Sequence, residues 1–298
     1  MLTLDPKDLK TAQVHQYLLH AIAPRPIAFA STIDPDGNVN VSPFSFFNVF
    51  SANPPVVIFS PARSGRTGQT KNTLDNVRMV PEVVINIVNY DLVQQVSLAS
   101  TEYPKGVNEF VKAGLTEEPS LKVKPPRVKE SPVQLECIVK DIVELGTQGG
   151  AGNLVIAEVV MIHVSEDILD PETKMIDQHK IDVVGRLGGD WYSRNSGSSL
   201  FKVAKPLTTI GIGVDQLPEF IRNSKVLNGN HLGQLGNVER LPEEEAVLHY
   251  RNSGAINEAI EIYGQHREKL EEHLHHIAAR LLDEGNVHEA WLVLMATH

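Results

Sequence analysis

Residues 25–48 read RPIAFASTIDPDGNVNVSPFSFFN, and this stretch decides the fold class. An apolar run from Pro26 to Ile33 is followed by Asp34-Pro35-Asp36-Gly37 and then by Val39 to Ser42. Proline presets φ and glycine accepts positive φ, so the four middle residues suit a turn between two paired strands. Further along, 56–59 (VVIF) and 83–88 (VVINIV) are continuous apolar runs, the pattern of strands buried on both faces. Residues 133–145 and 154–164 predict two long strands joined by a glycine-rich loop, 146–152 (GTQGGAG), read as a flexible hairpin tip. Helical patterns cover only 7–21, 72–80, 91–100 and 106–113 in this part of the chain. Short strand-like runs with few helices, and no regular strand–helix alternation, predict an antiparallel barrel rather than a doubly wound sheet.

The character of the chain changes near Pro206. Residues 207–298 hold 14 acidic and 7 basic side chains, 8 of the 12 histidines and only 2 of the 18 prolines. The chain therefore divides into a β-rich body, 1–206, and an acidic, histidine-rich helical extension, 207–298. In the extension, Asn252-Ser253 suits a helix N-cap. Apolar residues then fall at Ile256, Ile260, Tyr263, Leu270, Leu274, Ile277 and Leu281, predicting one long amphipathic helix ending near Gly285. A second, shorter helix is predicted over Val287 to Met295. His266, His273, His275 and His276 are read as a solvated helix face, because one helix supplies only two good metal ligands.

The net charge of −10 argues against a nucleic-acid or anionic-membrane binder. Apolar runs fall well short of the roughly 18 residues of a membrane helix, and the first residues do not read as a signal peptide. A cytoplasmic protein is expected. The single cysteine, Cys137, excludes an intramolecular disulfide and a cysteine zinc site; on a predicted strand it is read as buried and inert.

Two segments could carry chemistry. Residues 60–76, SPARSGRTGQTKNTLDN, follow a strand and open a helix. They bring together Arg63, Ser64, Arg66, Thr67, Thr70, Lys71 and Thr73, and no acidic residue occurs between Val56 and Leu74. Hydroxyls, cations and free amides at a helix N-terminus are what a phosphate needs; a solvated surface loop fits the same spacing. It is not a Walker loop, since Lys71 lies outside that pattern. In the second segment, Asn40 to Asn48, small hydroxyl residues alternate with phenylalanines. An aromatic ligand edge could lie along it, and a strand turning its phenylalanines to the core explains the same pattern.

Taken with Pro54-Pro55, the 25–48 stretch resembles the flavin reductase-like family. Lys71-Asn72-Thr73 looks like that family's phosphate motif, with Asn72 where Asp is usual. Arg186-Leu187-Gly188-Gly189 followed by Trp191-Tyr192 looks like its closing motif. The resemblance spans roughly residues 15–206 and leaves 207–298 outside.

The resemblance implies a mainly β, antiparallel Greek-key split barrel that binds FMN, usually as a homodimer with FMN near the interface. Carried over by motif, Ser31 and Thr32 would sit at the flavin edge. Asn40, Ser42, Pro43, Phe44, Ser45, Phe46 and Asn48 would contact the ring, and Ser60, Arg63, Ser64, Lys71 and Thr73 the ribityl-phosphate end. The segment with Trp191 would close over the ring. The flavin would carry the redox step, so no side chain is assigned as a catalytic acid, base or nucleophile. The expected activity is an NADH- or NADPH-dependent flavin oxidoreductase passing electrons to free flavin or a small acceptor. The alternative is a flavoredoxin-like electron carrier that docks a protein partner.

Overall fold

The computed structural model describes residues 1–206, 209–252 and 254–297; Leu207, Thr208 and Ser253, the last half of the expected cap, lie outside the described residues. The chain divides into two compact units, Met1–Phe201 and Lys202–His298.

In the first unit, Asp34 builds the opening turn. Its Oδ1 accepts the backbone N–H groups of Asp36 and Asn38 at 3.0 and 2.9 Å, and Gly37 takes φ +89°. The flanking residues become β1 (Ala28–Ile33) and β2 (Val39–Phe44), paired antiparallel with Ser31 opposite Val41. β3 (Phe47–Ala52), β4 (Pro55–Phe59), β5 (Glu82–Ile87), β8 (Val133–Glu144) and β9 (Asn153–Val164) complete a seven-stranded antiparallel sheet of order β2-β1-β5-β8-β9-β4-β3. Among the described residues no backbone pairing joins the edge strands β2 and β3. Two short ladders lie outside it, β6 (Glu117–Glu118) with β7 (Arg127–Val128) and β10 (Val184–Arg186) with β11 (Tyr192–Arg194). The helices of this unit are α1 (Thr11–Ala21), α2 (Asn72–Met79), α3 (Val93–Ala99) and α4 (Glu109–Ala113).

β5 is buried on both faces, as its apolar run predicts; β4 instead alternates, with Val57 and Phe59 inward. The 40–48 stretch weighed as a ligand edge falls mostly on β2 and the turn after it, with only Phe47 and Asn48 in β3. The glycine-rich tip between β8 and β9 is not free. Arg63 N–H donates to Ala151 O at 2.9 Å and Gly150 N–H to Arg63 O at 3.0 Å, and a Cβ on Gly149 would lie 3.0 Å from Ser64 O. Cys137 is fully buried, which pushes its thiol up to about 12.

A buried polar node ties a loop to the sheet. Glu136, on β8 and wholly inaccessible, accepts the backbone N–H groups of Leu121 and Lys122 at 2.8 and 2.6 Å and hydrogen-bonds His163 Nε2 at 2.7 Å. Burial alone would raise its pKa, but these three hydrogen bonds together hold it below the usual carboxylate value. A carboxylate with a lowered folded-state pKa contributes stability above its unfolded pKa and loses it as pH falls through the folded value. The first unit is therefore expected to lose stability on acidification below about pH 4.5, and Glu136→Gln to flatten that dependence. Parallel acid-unfolding curves for the two proteins would contradict the assignment.

The second unit is helical: α5 (Glu219–Arg222), α6 (Gly229–Gly236), α7 (Glu244–Arg251), α8 (Gly254–Tyr263), α9 (Arg267–Asp283) and α10 (Val287–Met295). The expected single long helix is two, because the chain breaks after Tyr263. Gly264 N–H closes the last turn of α8 onto Ile260 O at 2.7 Å, and His266 N–H donates to Tyr263 O before α9 begins at Arg267. The core of this unit gathers Ile221, Leu235, Ile256, Leu274, Leu282 and Trp291, whose indole N–H donates to Leu235 O at 3.3 Å. His275 is buried and hydrogen-bonds Ser224 Oγ at 2.7 Å, so it does not share the solvated face assigned to it. No helix among the described residues is long and apolar enough to cross a membrane.

Candidate functional site

The 60–76 segment folds as its composition requires. Ser64 N–H donates to Gln69 O and Gly68 N–H to Ser64 O, closing a tight turn in which Gly68 takes φ +72°. Lys71 then takes the N-cap position of α2 with extended backbone and no side-chain cap. The first amides of the helix point from a positive dipole end. Two buried side-chain bonds fix α2 against the sheet: Asn40 Nδ2 donates to Thr73 Oγ1 at 3.0 Å and Asn76 Nδ2 to Thr32 Oγ1 at 3.1 Å.

These contacts frame a polar cavity of about 330 Å³. Asn40 and Ser42 of β2, Ser64, Lys71 and Thr73 line it, together with the 100–105 loop and Glu109. The structure thus brings five of the expected ligand residues to one place. Ser31 of β1 is wholly buried and its Oγ lacks a hydrogen-bond partner among the described residues, but it pairs with Val41 on the sheet face opposite that of Thr32 and Asn40 and does not line this cavity. Thr32 is equally buried and already accepts from Asn76.

The other expected residues have separate surroundings. Phe44 packs its ring on Phe59 at 5.6 Å and Pro43 precedes it in β2. Ser45 Oγ accepts from Arg25 Nε at 3.4 Å. Phe46 is exposed and meets His15 edge-on, while Asn48 uses its side-chain oxygen on the N–H of Val49. Ser60 Oγ accepts the N–H of Asn153 at 3.0 Å, a bond that fixes β9 to the loop. Trp191 is 74% exposed at the turn between β10 and β11 and is not among the residues lining this cavity.

A segment free of acids in sequence is not free of them in space. Lys71 Nζ is ion-paired with Glu102, which also reaches Arg66 Nη2 at 3.4 Å. Arg63 Nη2 lies 3.3 Å from Glu144, which is also paired with Arg78. The hydrogen bond and charge of Lys71 hold the Glu102 carboxyl below its usual range. Glu109 is the opposite case: burial pushes its pKa up although its carboxylate accepts the N–H of Val41 at 3.2 Å. Neither carboxylate was visible from the 60–76 segment, because both arrive from residues around α3 and α4.

Arg25 is the other residue whose task sequence reading missed. Its side chain is almost wholly buried without a carboxylate partner among the described residues. Nη1 donates to Leu19 O and Ile22 O at 2.6 and 2.7 Å, at the C-terminal end of α1, and Nη2 to Leu187 O at 2.9 Å. One guanidinium therefore joins α1, Ser45 and the turn after β10. A cation is favoured where helix carbonyls converge. Gly185 is needed beside it, since a Cβ there would lie 2.6 Å from Pro24 Cβ.

Comparison with known proteins agrees with this architecture. The model of the flavin reductase like domain matches residues 20–181. An uncharacterised protein of Aquifex aeolicus is 38% identical over 191 residues, covering 64% of this chain and 94% of that one. One from Halalkalibacterium halodurans is 36% identical over 193 residues, 64% of this chain and 91% of its own. Among solved structures, nitrilotriacetate monooxygenase component B from Bacillus cereus superposes with a TM-score of 0.63 at 28% identity, covering 68% of this chain and 98% of that one. A flavin-reductase-type protein with a split barrel domain from Shewanella frigidimarina gives 0.56 at 26%, covering 67% and 95%. The mainly antiparallel body is thus of the split-barrel type.

Proposed function

The chain belongs to the flavin reductase-like family, and from that premise we propose that it is an FMN-dependent oxidoreductase with NADH or NADPH as donor. The observation that carries this reading is the polar cavity at the start of α2, where Lys71, Ser64, Thr73 and the free amides of the helix converge. That donor set suits a phosphate monoester, and the cavity of about 330 Å³ suits a ribityl-phosphate arm. When bound, FMN would supply two-electron redox chemistry, from the nicotinamide to free flavin or a small acceptor.

In this reading the chain's own residues bind and orient. Lys71 and the α2 amides hold the phosphate, while Asn40 and Thr73, locked to each other, fix the cavity wall. Ser42 to Asn48 would lie along the ring, much of the contact through backbone. We further infer that the sheet closes as a Greek-key split barrel.

An absorption spectrum tests the proposal. Added FMN is expected to bind with shifted bands that bleach anaerobically with one of the two nicotinamides. Bound flavin that resists both but bleaches with dithionite would favour the electron-carrier reading, and failure to bind FMN would remove both.

We also propose a homodimer through β3. This edge strand leaves Val49 and Phe50 about two-thirds exposed, with Phe46 beside them, and an open apolar edge is an association surface. Val49→Asp with Phe50→Asp is expected to convert a dimer to a monomer in sedimentation; a wild-type monomer would overturn the assignment.

A further inference from the structure

A second cavity of the first unit, of about 380 Å³, lies between α3 and the β10–β11 hairpin. Its lining differs from that of the phosphate cavity. Two tyrosines each carry a guanidinium over the ring: Arg186 lies 4.6 Å from the Tyr192 centroid and Arg194 lies 3.7 Å from that of Tyr90. The two arginines are not equivalent. Arg194 is neutralised by Asp182, with three N–H···O contacts at 2.6 to 3.1 Å. Arg186 makes no side-chain hydrogen bond or ion pair among the described residues, and its fork of donors is held only by its ring contact. It is also close enough to the buried Arg25 to depress that group's pKa after burial has done so, which marks a locally positive field. The one carboxylate on the lining, Asp190, is exposed and forms no ion pair with Arg186.

We propose that this cavity binds a planar aromatic carboxylate, with Arg186 taking the carboxylate. A guanidinium fork matches a carboxylate bidentately, and guanidinium planes stack on aromatic faces. A single uncompensated cation suits a monoanion; a phosphate dianion calls for more than one. The paired rings and guanidinium planes favour a flat ring over an aliphatic acid such as acetate. Gln94 and Ser97 of α3 and Ser193 of β11 add neutral donors at the rim. The volume falls within the range of small-ligand sites. None of its residues lines the phosphate cavity, while Arg186 and Tyr192 belong to the segment expected to close over a flavin ring, which is why the test includes saturating FMN.

The test is titration calorimetry on the full chain with benzoate, benzamide, acetate and inorganic phosphate, each with and without saturating FMN. Benzoate is expected to bind, with benzamide and acetate at least tenfold weaker. Arg186→Gln is expected to weaken benzoate at least tenfold while keeping the thermal midpoint of the parent, and Arg186→Lys to recover only part of the loss because the fork is gone. Gln94→Ala, which leaves every arginine in place, guards against a misfolded Arg186 variant and is expected to weaken benzoate only modestly. Equal affinity for benzoate and benzamide, tighter binding of phosphate, unchanged affinity in Arg186→Gln or no benzoate binding at all would each overturn the proposal. Loss of benzoate binding under saturating FMN would also overturn it, by showing that the cavity belongs to the flavin site. Failure to bind FMN with benzoate binding intact would sink only the flavin reading.

Discussion

Lys71→Ala is expected to weaken FMN binding about 10- to 100-fold with little change in thermal stability. A hydrogen bond to a charged group contributes roughly 1.5–3 kcal/mol, or one to two decades in affinity. Lys71 is partly exposed at the N-cap of α2 and makes no side-chain cap, so the fold does not depend on it. Its removal also leaves the Glu102 carboxylate facing the cavity without its nearest counter-charge. The two effects act in the same direction. Glu102→Gln is therefore expected to act oppositely and tighten FMN several-fold, since it removes the internal anion that competes for Lys71 and Arg66. Calorimetric titration of both variants at two salt concentrations measures this. Unchanged affinity in Lys71→Ala would move the phosphate elsewhere, and weaker binding in Glu102→Gln would make Glu102 a ligand rather than a competitor.

Arg25→Ala carries the largest expected effect on stability. Three short charge-assisted bonds to Leu19, Ile22 and Leu187 carbonyls disappear at once, together with the packing of a nearly buried side chain. Part of that is recovered as the carbonyls meet water, leaving a cost on the order of 3–5 kcal/mol. In a unit of this size such a loss lowers the midpoint by roughly 6 to 20 °C. Scanning calorimetry of the intact chain reads it out. The expected lesion is confined to the first unit, so the second unit's transition should not move. Lysine cannot reach three carbonyls with the same planar geometry and should rescue only part. A midpoint within a degree or two of wild type would show that solvent replaces the guanidinium freely.

Much of the strand layout could be read from local pattern. The Asp34-Pro35-Asp36-Gly37 turn, the apolar run of β5 and the two long strands β8 and β9 follow period and turn chemistry, which are short-range properties. β3 escaped because its sequence, FNVFSA, breaks strict alternation at Phe50, where its ladder with β4 shifts register. The helical extension was misread at the break: residues 264–269 (GQHREK) interrupt the apolar seam and Gly264 is a helix-stop signal, but the seven-residue step from Tyr263 to Leu270 keeps the helical phase and hides it. At the candidate site the hydroxyls and Lys71 were legible from composition. Their electrostatic setting was not, because Glu102 lies 31 residues from Lys71 and Glu144 lies 81 from Arg63. Charge compensation across such separations is decided by the fold. The same is true of Arg25, which stood in a quoted motif but whose three acceptors come from α1 and from a turn 162 residues away.

The chain has two tryptophans, and the structure puts one in each unit under opposite conditions. Trp291 is sealed in an apolar core with its N–H satisfied, whereas Trp191 stands in water at a turn. They form a built-in pair of optical reporters. Trp291 should emit towards the blue and resist iodide, and Trp191 should emit towards the red and be quenched readily. Unfolding of the helical extension then registers as a red shift of the protected component alone. Events at the β10–β11 turn register in the quenchable component, so fluorescence of the unmodified protein can follow the two units separately in one cuvette.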